Sequence, residues 1–157
     1  MPDFRGGERA FQIAWASAEA VAPGGRLVLQ TVHPEHYAVQ AVKDHDRASF
    51  YKPELHLRSD LGYPPFRRIC VVSVRARADG DARALIDDCA RALNGIGGLT
   101  VYPAAPTGAA GAKTARWQFV IKGPAELPRL LRVPLTPYLE QRRRGGAVVE
   151  VEMDPVS

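Results

Sequence analysis

The most constraining feature of this 157-residue sequence is the stretch from Leu61 to Arg68, which reads LGYPPFRR. Two consecutive prolines fix φ, remove two backbone donors and push Tyr63 and Pro64 toward extended geometry. Gly62, just ahead of them, suits the left-handed residue that closes a helix. The stretch therefore predicts a stiff loop between two regions, and we place a domain boundary here, with domains over residues 1–60 and 61–157.

Composition places few limits on function. The content of hydrophobic residues is 46% and that of charged residues 24%, which is ordinary for a globular protein. The net charge of +4 fits a polyanionic partner without requiring one. No apolar run approaches the ~20 residues of a membrane span, and no signal-peptide layout opens the chain, so we expect no membrane partner and a cytoplasmic location. Cys70 and Cys89 form no CxxC pair and are predicted to be reduced core residues.

The first domain is predicted to be mainly helical. Its expected elements are a helix over Glu8–Ala22, a buried strand over Arg26–Thr31, a helix opened by Pro34 and a helix over Asp44–Leu61. Pro53 is expected to break the last helix or to start its second half.

The second domain shows a β-α-β-β-α-β pattern. The expected elements are strands over 67–78, 99–103, 116–122 and 147–154 and helices over 81–94 and 125–143, with a flexible hairpin connection over 104–115. This is the ferredoxin-like split βαβ order, so we predict an α/β (α+β) fold. In it we expect the first strand to lie between the third and fourth strands, parallel to the third and antiparallel to the fourth.

Alternation along the strands assigns side chains to two faces. The helix-facing set is Cys70, Val72, Val74, Ala76, Trp117, Phe119, Ile121, Val149, Val151 and Met153. The open-face set is Ile69, Val71, Ser73, Arg75, Arg77, Arg116, Gln118, Val120, Lys122, Glu150 and Glu152. We expect Arg75 and Arg77 to pair with Glu150 and Glu152. The two central strands carry no aromatic residue on this face, which disfavours an RNA-recognition sheet.

Seven cations are candidate DNA-binding residues. Parallel pairing of the first and third strands would bring Lys113 and Arg116 near Arg67 and Arg68, where the four could hold phosphates without reading bases. The alternative is scattered surface charge. The run Arg142-Arg143-Arg144 falls where the second helix is expected to end. Capping of that helix would justify one or two of these arginines, so we interpret the run as a secondary backbone contact or as a receptor for an acidic tail.

No catalytic or metal site is expected. His33 and His36 lack a third histidine or cysteine nearby, so they make a poor metal site. His36 and Tyr37 are expected instead to cap or pack a helix. Asp87-Asp88 and the acidic residues of the last strand are interpreted as solvated faces.

Short motifs in a fixed order resemble the PriA family of primosomal replication-restart proteins (primosomal protein N′). They are Pro2-Asp3-Phe4-Arg5, Glu8-Arg9, Phe11-Gln12, Gln30-Thr31, Pro34-Glu35-His36-Tyr37, Gln40, Phe50-Tyr51, Glu54-Leu55, Arg58, Gly62-Tyr63-Pro64-Pro65-Phe66, Arg116-Trp117-Gln118 and Asp154-Pro155-Val156. The resemblance implies the end of the second RecA-like helicase lobe followed by the family's C-terminal domain. The family's zinc-binding cysteines lie upstream of this region, so the resemblance implies no zinc here.

One departure from that family concerns its motor. Where such helicases carry Gln-Val-Ala-Gly-Arg-Ala-Gly-Arg, this chain has Ala16-Ser-Ala-Glu-Ala-Val-Ala-Pro23. The family's arginines would stabilise charge on a transferred phosphoryl group, and neither Ala20 nor Pro23 can replace them. No Gly-rich phosphate loop with its lysine occurs either. We therefore expect no ATPase activity and no cofactor in this chain.

The resemblance implies a DNA-binding region of a replication-restart primosome protein, acting in DNA replication, repair and recombination at stalled or branched forks. Two alternatives stay open. The chain could be a docking module for single-stranded-DNA-binding protein or other primosome proteins, or it could be part of an ATP-dependent 3′–5′ DNA helicase.

Overall fold

The computed structural model describes residues 4–108, 113–139 and 146–155. Contacts divide the chain into two compact units, with the boundary between Leu61 and Gly62. Over the described ranges the protein has five helices and a five-stranded sheet, which confirms the α+β fold class. No helix in those ranges is long and apolar enough to cross a membrane.

Unit 1 contains three helices, α1 (Gly6–Glu19), α2 (Tyr37–Lys43) and α3 (Arg47–Leu61). Phe11 and Trp15 are four residues apart on α1, so they lie on one face, and both are buried. The ring of Phe11 stacks on that of Phe50 from α3, with centroids 4.0 Å apart and planes 4° apart. This ring stack is the centre of the unit's apolar core.

Three expectations for unit 1 are wrong. Pro34 does not open a helix, because α2 begins at Tyr37 with His36 as its N-cap. Residues 26–31 form no strand, and Val28 is 84% exposed. A strand needs a neighbour to pair its backbone groups, and residues 4–61 contain no other strand. Pro53 does not break α3, which runs through it. Proline removes one backbone hydrogen bond and crowds the carbonyl four residues earlier. The helix continues because the buried residues Phe50 and Glu54 anchor it on either side.

Unit 2 contains β1 (Arg68–Ala76), α4 (Asp79–Ala92), β2 (Thr100–Val101), β3 (Ala105–Pro106), β4 (Ala115–Gly123), α5 (Leu127–Leu139) and β5 (Val148–Met153). The strand order is β2-β4-β1-β5, and the short β3 also pairs with β4. The first long strand therefore lies between the second long strand and the last, as predicted. The connection over 104–115 is not wholly a flexible loop, because β3 occupies part of it; residues 109–112 lie outside the described ranges.

The expected parallel pairing of β1 with β4 is wrong, because β4 runs antiparallel to β1. Arg68 lies opposite Gly123, and Arg75 lies opposite Arg116. The reason is the chain reversal after β2. β4 is antiparallel to β2 as well as to β1, so β1 and β2 point the same way and the intervening β4 must oppose both.

The predicted helix-facing set is confirmed, since all ten side chains belong to the core or pack against it. Burial raises the pKa of the Cys70 thiol to about 12, and the nearby charge of Asp154 is a smaller cause of the same shift. Cys70 is therefore a protonated core residue at neutral pH. The open-face assignment is wrong in part: Ile69, Val71 and Ser73 are buried.

Candidate nucleic-acid interface

The antiparallel register separates the cations that were expected to cluster. Arg67 and Arg68 lie at the start of β1, whereas Arg116 lies opposite Arg75 near its end. Seven residues of strand separate Arg68 from Arg75, a distance of about 23 Å at ~3.3 Å per residue. The predicted group of Arg67, Arg68, Lys113 and Arg116 is therefore two groups at opposite ends of the sheet.

At the first end, the Asp154-Pro155 ending is tied to the start of β1. The Asp154 carboxylate accepts a hydrogen bond from the Ile69 backbone N–H at 2.9 Å and pairs with the Arg68 guanidinium. The Asp154 N–H donates to the Ile69 carbonyl at 2.7 Å. A role for this ending was not derivable from the sequence, and the structure supplies one, because Asp154 fastens the last strand to the first.

Arg67, beside it, braces the proline turn. The peptide bond between Pro64 and Pro65 is cis, and the backbone N–H of Phe66 donates to the Tyr63 carbonyl at 3.0 Å. The Arg67 guanidinium donates to the Gly98 carbonyl at 2.6 Å and so joins this turn to the segment that enters β2. Gly62 has a φ of +61°, as expected of the residue after a helix.

At the opposite end, three strands contribute to one charged ladder. Glu150 of β5 contacts Arg75 of β1 at 3.6 Å and Arg116 of β4 at 3.4 Å. Ser73 accepts a hydrogen bond from the Arg116 guanidinium at 3.3 Å. The three charged side chains are about half exposed, so one carboxylate is shared by two arginines that both reach solvent.

Two further cations extend this ladder. Arg77 follows the last residue of β1 and Lys113 precedes the first residue of β4 by two positions, and both are exposed. We call Arg75, Arg77, Lys113 and Arg116 the cationic end. The expected pairing of Arg77 with Glu152 is wrong, because Glu152 lies opposite Val71 at the other half of the strand. Sequence reasoning missed Arg75 and Arg77 as candidates because it treated them as neutralised by carboxylates.

The candidates Arg142, Arg143 and Arg144 lie outside the described residues. They precede β5 in the chain, and Val148, the first residue of β5, is opposite Arg75.

Other polar candidates have structural partners. His36 caps α2, where its Nδ1 accepts from the Ala38 N–H at 3.2 Å, which confirms the capping interpretation. Asp88 pairs with Arg91 one turn along α4. The described residues contain no group of three or more His, Cys, Asp or Glu side chains arranged to hold a metal.

Unit 1 contains a nearly buried polar cluster built from residues of the sequence motifs. Arg58 Nε donates to Glu54 at 2.7 Å, and its terminal nitrogen reaches Glu8 at 3.0 Å. The Tyr37 hydroxyl donates to Glu54 at 2.5 Å. Burial, and then the bond to Glu54, raise the pKa of Tyr37 to about 12. The cluster connects all three helices, so its role is structural.

Glu19, within the segment that departs from the motor pattern, is also engaged locally. Its carboxylate accepts from the Trp15 indole at 2.6 Å and pairs with Arg47 at 2.8 Å. The Trp15 bond, followed by the Arg47 contacts, lowers the pKa of Glu19. The side chain thus fastens the end of α1 to the start of α3.

The described fold can be compared with known proteins. The family of the primosomal protein N C-terminal domain matches residues 59–156. Replication restart protein PriA of Bacillus subtilis is 28% identical over 99% of this chain and 20% of the relative. The Treponema pallidum protein of that name is 32% identical over 99% of this chain and 24% of the relative, and the Synechocystis one is 27% identical over 99% and 19%.

Among solved structures, the de novo designed protein Foldit4 aligns with 58% of this chain and 99% of its own, at 13% identity and a TM-score of 0.44. That score is too low to support an argument about this chain. The chain spans about a fifth to a quarter of the length of the curated relatives it matches. On the family match and these relatives, the chain belongs to the PriA family of replication restart proteins and corresponds to their C-terminal region.

Proposed function

We propose that this chain contacts the phosphate backbone of DNA at branched or stalled forks, as part of a replication-restart protein. The contact surface is the cationic end, together with Arg142, Arg143 and Arg144, which stand in the chain between α5 and β5. The contact is independent of sequence, because arginine and lysine side chains that meet phosphates fix position without reading bases. Arg67 and Arg68 at the other end of the sheet are auxiliary contacts.

The observation that supports this proposal most strongly is the β1–β4 register. It places Arg75 directly opposite Arg116, and Glu150 is the carboxylate that contacts both. Two arginines that share one carboxylate retain positive charge for a second anion, and phosphate accepts the same forked geometry as carboxylate. Arg68, by contrast, pairs with Asp154 alone among the described ion pairs, so a phosphate would have to compete with the Asp154 carboxylate for the Arg68 guanidinium.

The salt dependence of duplex binding tests the proposal. In a triple variant R77Q/K113Q/R116Q, the slope of log K against log salt is expected to flatten by about 2–3, since each lost phosphate contact contributes ~0.9. Removing Arg142, Arg143 and Arg144 together is expected to flatten it by up to ~3 as well. Duplex and forked DNA should weaken about equally in both variants.

A matched control removes the same charge elsewhere. Arg91, Arg129 and Arg132 are exposed on α4 and α5, which cover the opposite face of the sheet. The triple variant R91Q/R129Q/R132Q should leave the slope nearly unchanged. An equal flattening in the control would show that net charge alone drives binding, and an unchanged slope in R77Q/K113Q/R116Q would remove the cationic end from the interface.

The absence of motor activity is a second part of the proposal. The segment that carries arginines in the family's helicases has Ala20 and Pro23 in their places, and Glu19 is occupied by Trp15 and Arg47. We expect no ATP turnover by the chain, with or without DNA. A steady-state hydrolysis assay that found DNA-stimulated turnover would favour the helicase alternative.

Binding of an acidic tail peptide, measured without DNA, distinguishes the docking alternative from DNA backbone binding. If the arginines received the acidic tail of single-stranded-DNA-binding protein, a tail peptide would bind without DNA and lose affinity in the same cation variants. Under our proposal the peptide binds no better than a scrambled peptide of equal charge.

A further inference from the structure

We propose that the proline turn and the residue after β2 form a base-stacking subsite for single-stranded DNA, which rests on the proposed function and extends it from phosphates to unpaired bases. The subsite consists of the rings of Phe66 and Tyr102 with the cations Lys122 and Arg67. We call it the elbow platform.

Two large rings are exposed at this end of unit 2. Phe66 is 51% exposed and Tyr102 is 41% exposed. Phe66 lies in a turn whose own backbone bonds hold it in place, through its N–H and that of Arg67 to the Tyr63 carbonyl. Tyr102 is held by its N–H, which donates to the Val120 carbonyl at 2.9 Å. Rings exposed on fixed backbone lose little entropy on stacking, because a phenyl side chain has only two rotatable bonds.

Two contacts join the segments that carry these rings. The Lys122 ammonium lies 3.9 Å from the centre of the Tyr63 ring and 5.6 Å from that of Tyr102. The Arg67 guanidinium bonds to the Gly98 carbonyl, which lies in the segment entering β2. Two cations therefore connect the proline turn with the segment that carries Tyr102: Lys122, which contacts rings of both, and Arg67, which reaches from the turn to Gly98.

The chemistry of this surface fits a polyanion with exposed π-faces. Exposed aromatic rings next to a lysine and an arginine are the combination by which proteins hold single strands without sequence preference, since every base has a face to stack. A duplex gains little here, because its bases already stack on one another and offer only edges and phosphates. The platform is about 23 Å along the sheet from the cationic end, at ~3.3 Å per residue, so one strand could leave a duplex held there and reach the rings.

Binding of a dT15 oligonucleotide and of a 15-bp duplex to the full chain tests the subsite. The double variant F66L/Y102L keeps apolar bulk and removes both flat rings. Its affinity for dT15 is expected to fall at least ~10-fold, since the stacking of a base on an aromatic side chain is a large part of single-strand binding. Its affinity for the duplex should stay within twofold. The ring-preserving variant F66Y/Y102F should bind both probes like the wild type.

A second readout reports stacking itself. With 2-aminopurine at the centre of the oligonucleotide, wild-type binding should change its fluorescence, and F66L/Y102L should abolish that change. Equal affinity of F66L/Y102L and wild type for dT15, or equal losses on dT15 and duplex, would overturn the elbow platform. Failure of the phosphate proposal would show elsewhere, as an unchanged salt slope in R77Q/K113Q/R116Q, so the two can fail independently.

Discussion

The two units of this chain bury their side chains in different ways. Unit 2 closes a sheet and two helices around one apolar cluster, in which fourteen described residues are buried. The corresponding cluster of unit 1 has six, centred on the stack of Phe11 on Phe50, and beside it lies the polar cluster of Arg58. Unit 2 is thus stabilised mainly by apolar burial, whereas unit 1 depends on a few rings and on one nearly buried ion network.

The largest expected effect on stability comes from replacing one buried phenylalanine in each unit with alanine, which tests this difference directly. Phe50 in unit 1 and Phe119 in unit 2 are 0% and 1% exposed. Each Phe→Ala change should cost about 3–5 kcal/mol, because it removes buried surface and leaves a cavity. Because the smaller core has less apolar burial to spare, F50A should unfold unit 1 at 25 °C, whereas F119A should leave unit 2 folded but weakened.

Amide hydrogen exchange resolved by segment measures this. F50A should remove protection from α1–α3 and leave β1 and β4 protected. Equal losses of protection in both units, for both variants, would mean that the cores are not separate.

Arg58 tests the polar cluster. Replacing it with methionine keeps most of the bulk but leaves Glu54 and Glu8 without their shared cation. Losing one partner of a buried ion pair costs about 3–5 kcal/mol, and the lower end applies here because Glu8 is 28% exposed. Amide hydrogen exchange of α1–α3 should show the loss. The exposed Arg47→Met change, at a surface ion pair, should cost well under half as much.

Gly123 tests the packing of unit 2. A Cβ on this residue would stand 2.7 Å from Leu127 Cδ1 and 3.0 Å from Leu99 Cδ2. Leu127 is fully buried and cannot swing away, so G123A should destabilise unit 2 by about 1–3 kcal/mol. Thermal unfolding measures it, and G97A is the control, because nothing lies within 4 Å of a Cβ there. Equal melting temperatures for the two variants would contradict the packing.

Alkaline titration has the smallest expected effect. Folding raises the pKa of Tyr37 from 10 to about 12, so the folded state holds this proton more tightly. The contribution is fully present below pH 10 and is lost as the pH rises toward 12. Stability of unit 1 should fall over that window, and Y37F should remove this part of the fall. If the stability of Y37F fell with pH as steeply as that of the wild type between pH 10 and 12, the Tyr37 hydroxyl would not be the cause of the fall.

The sequence predicted unit 2 better than unit 1 for a physical reason. Alternation over Cys70–Ala76 and Trp117–Ile121 is interrupted by Val71 and Val120, but it was sufficient to identify the side chains that face the helices. The direction of β4 was missed, since alternation is the same in both directions and only the pairing of β4 with β2 and β1 reveals it. In unit 1, the apolar run over Leu27–Leu29 predicted a strand, but pairing depends on a neighbour that the pattern cannot reveal.

The candidate site was predictable in part. Arg116 and Lys113 were identified by charge, but their neighbours were wrong because those depend on the strand direction. Arg75 was set aside as paired, and its sharing of Glu150 with Arg116 follows only from coordinates. Phe66 belongs to the proline stretch that the sequence marked, whereas its exposure, the feature that suggests a function, follows only from the structure.

The most direct test of the cationic end is a gain in DNA affinity on neutralising Glu150. Glu150 and Glu152 are two residues apart on β5 and both exposed, but only Glu150 contacts Arg75 and Arg116 among the described ion pairs. E150Q should therefore tighten duplex binding and steepen its salt slope by about one phosphate contact, ~0.9. E152Q removes the same charge and should change both far less. Equal effects of the two variants, or weaker binding by E150Q, would contradict the account.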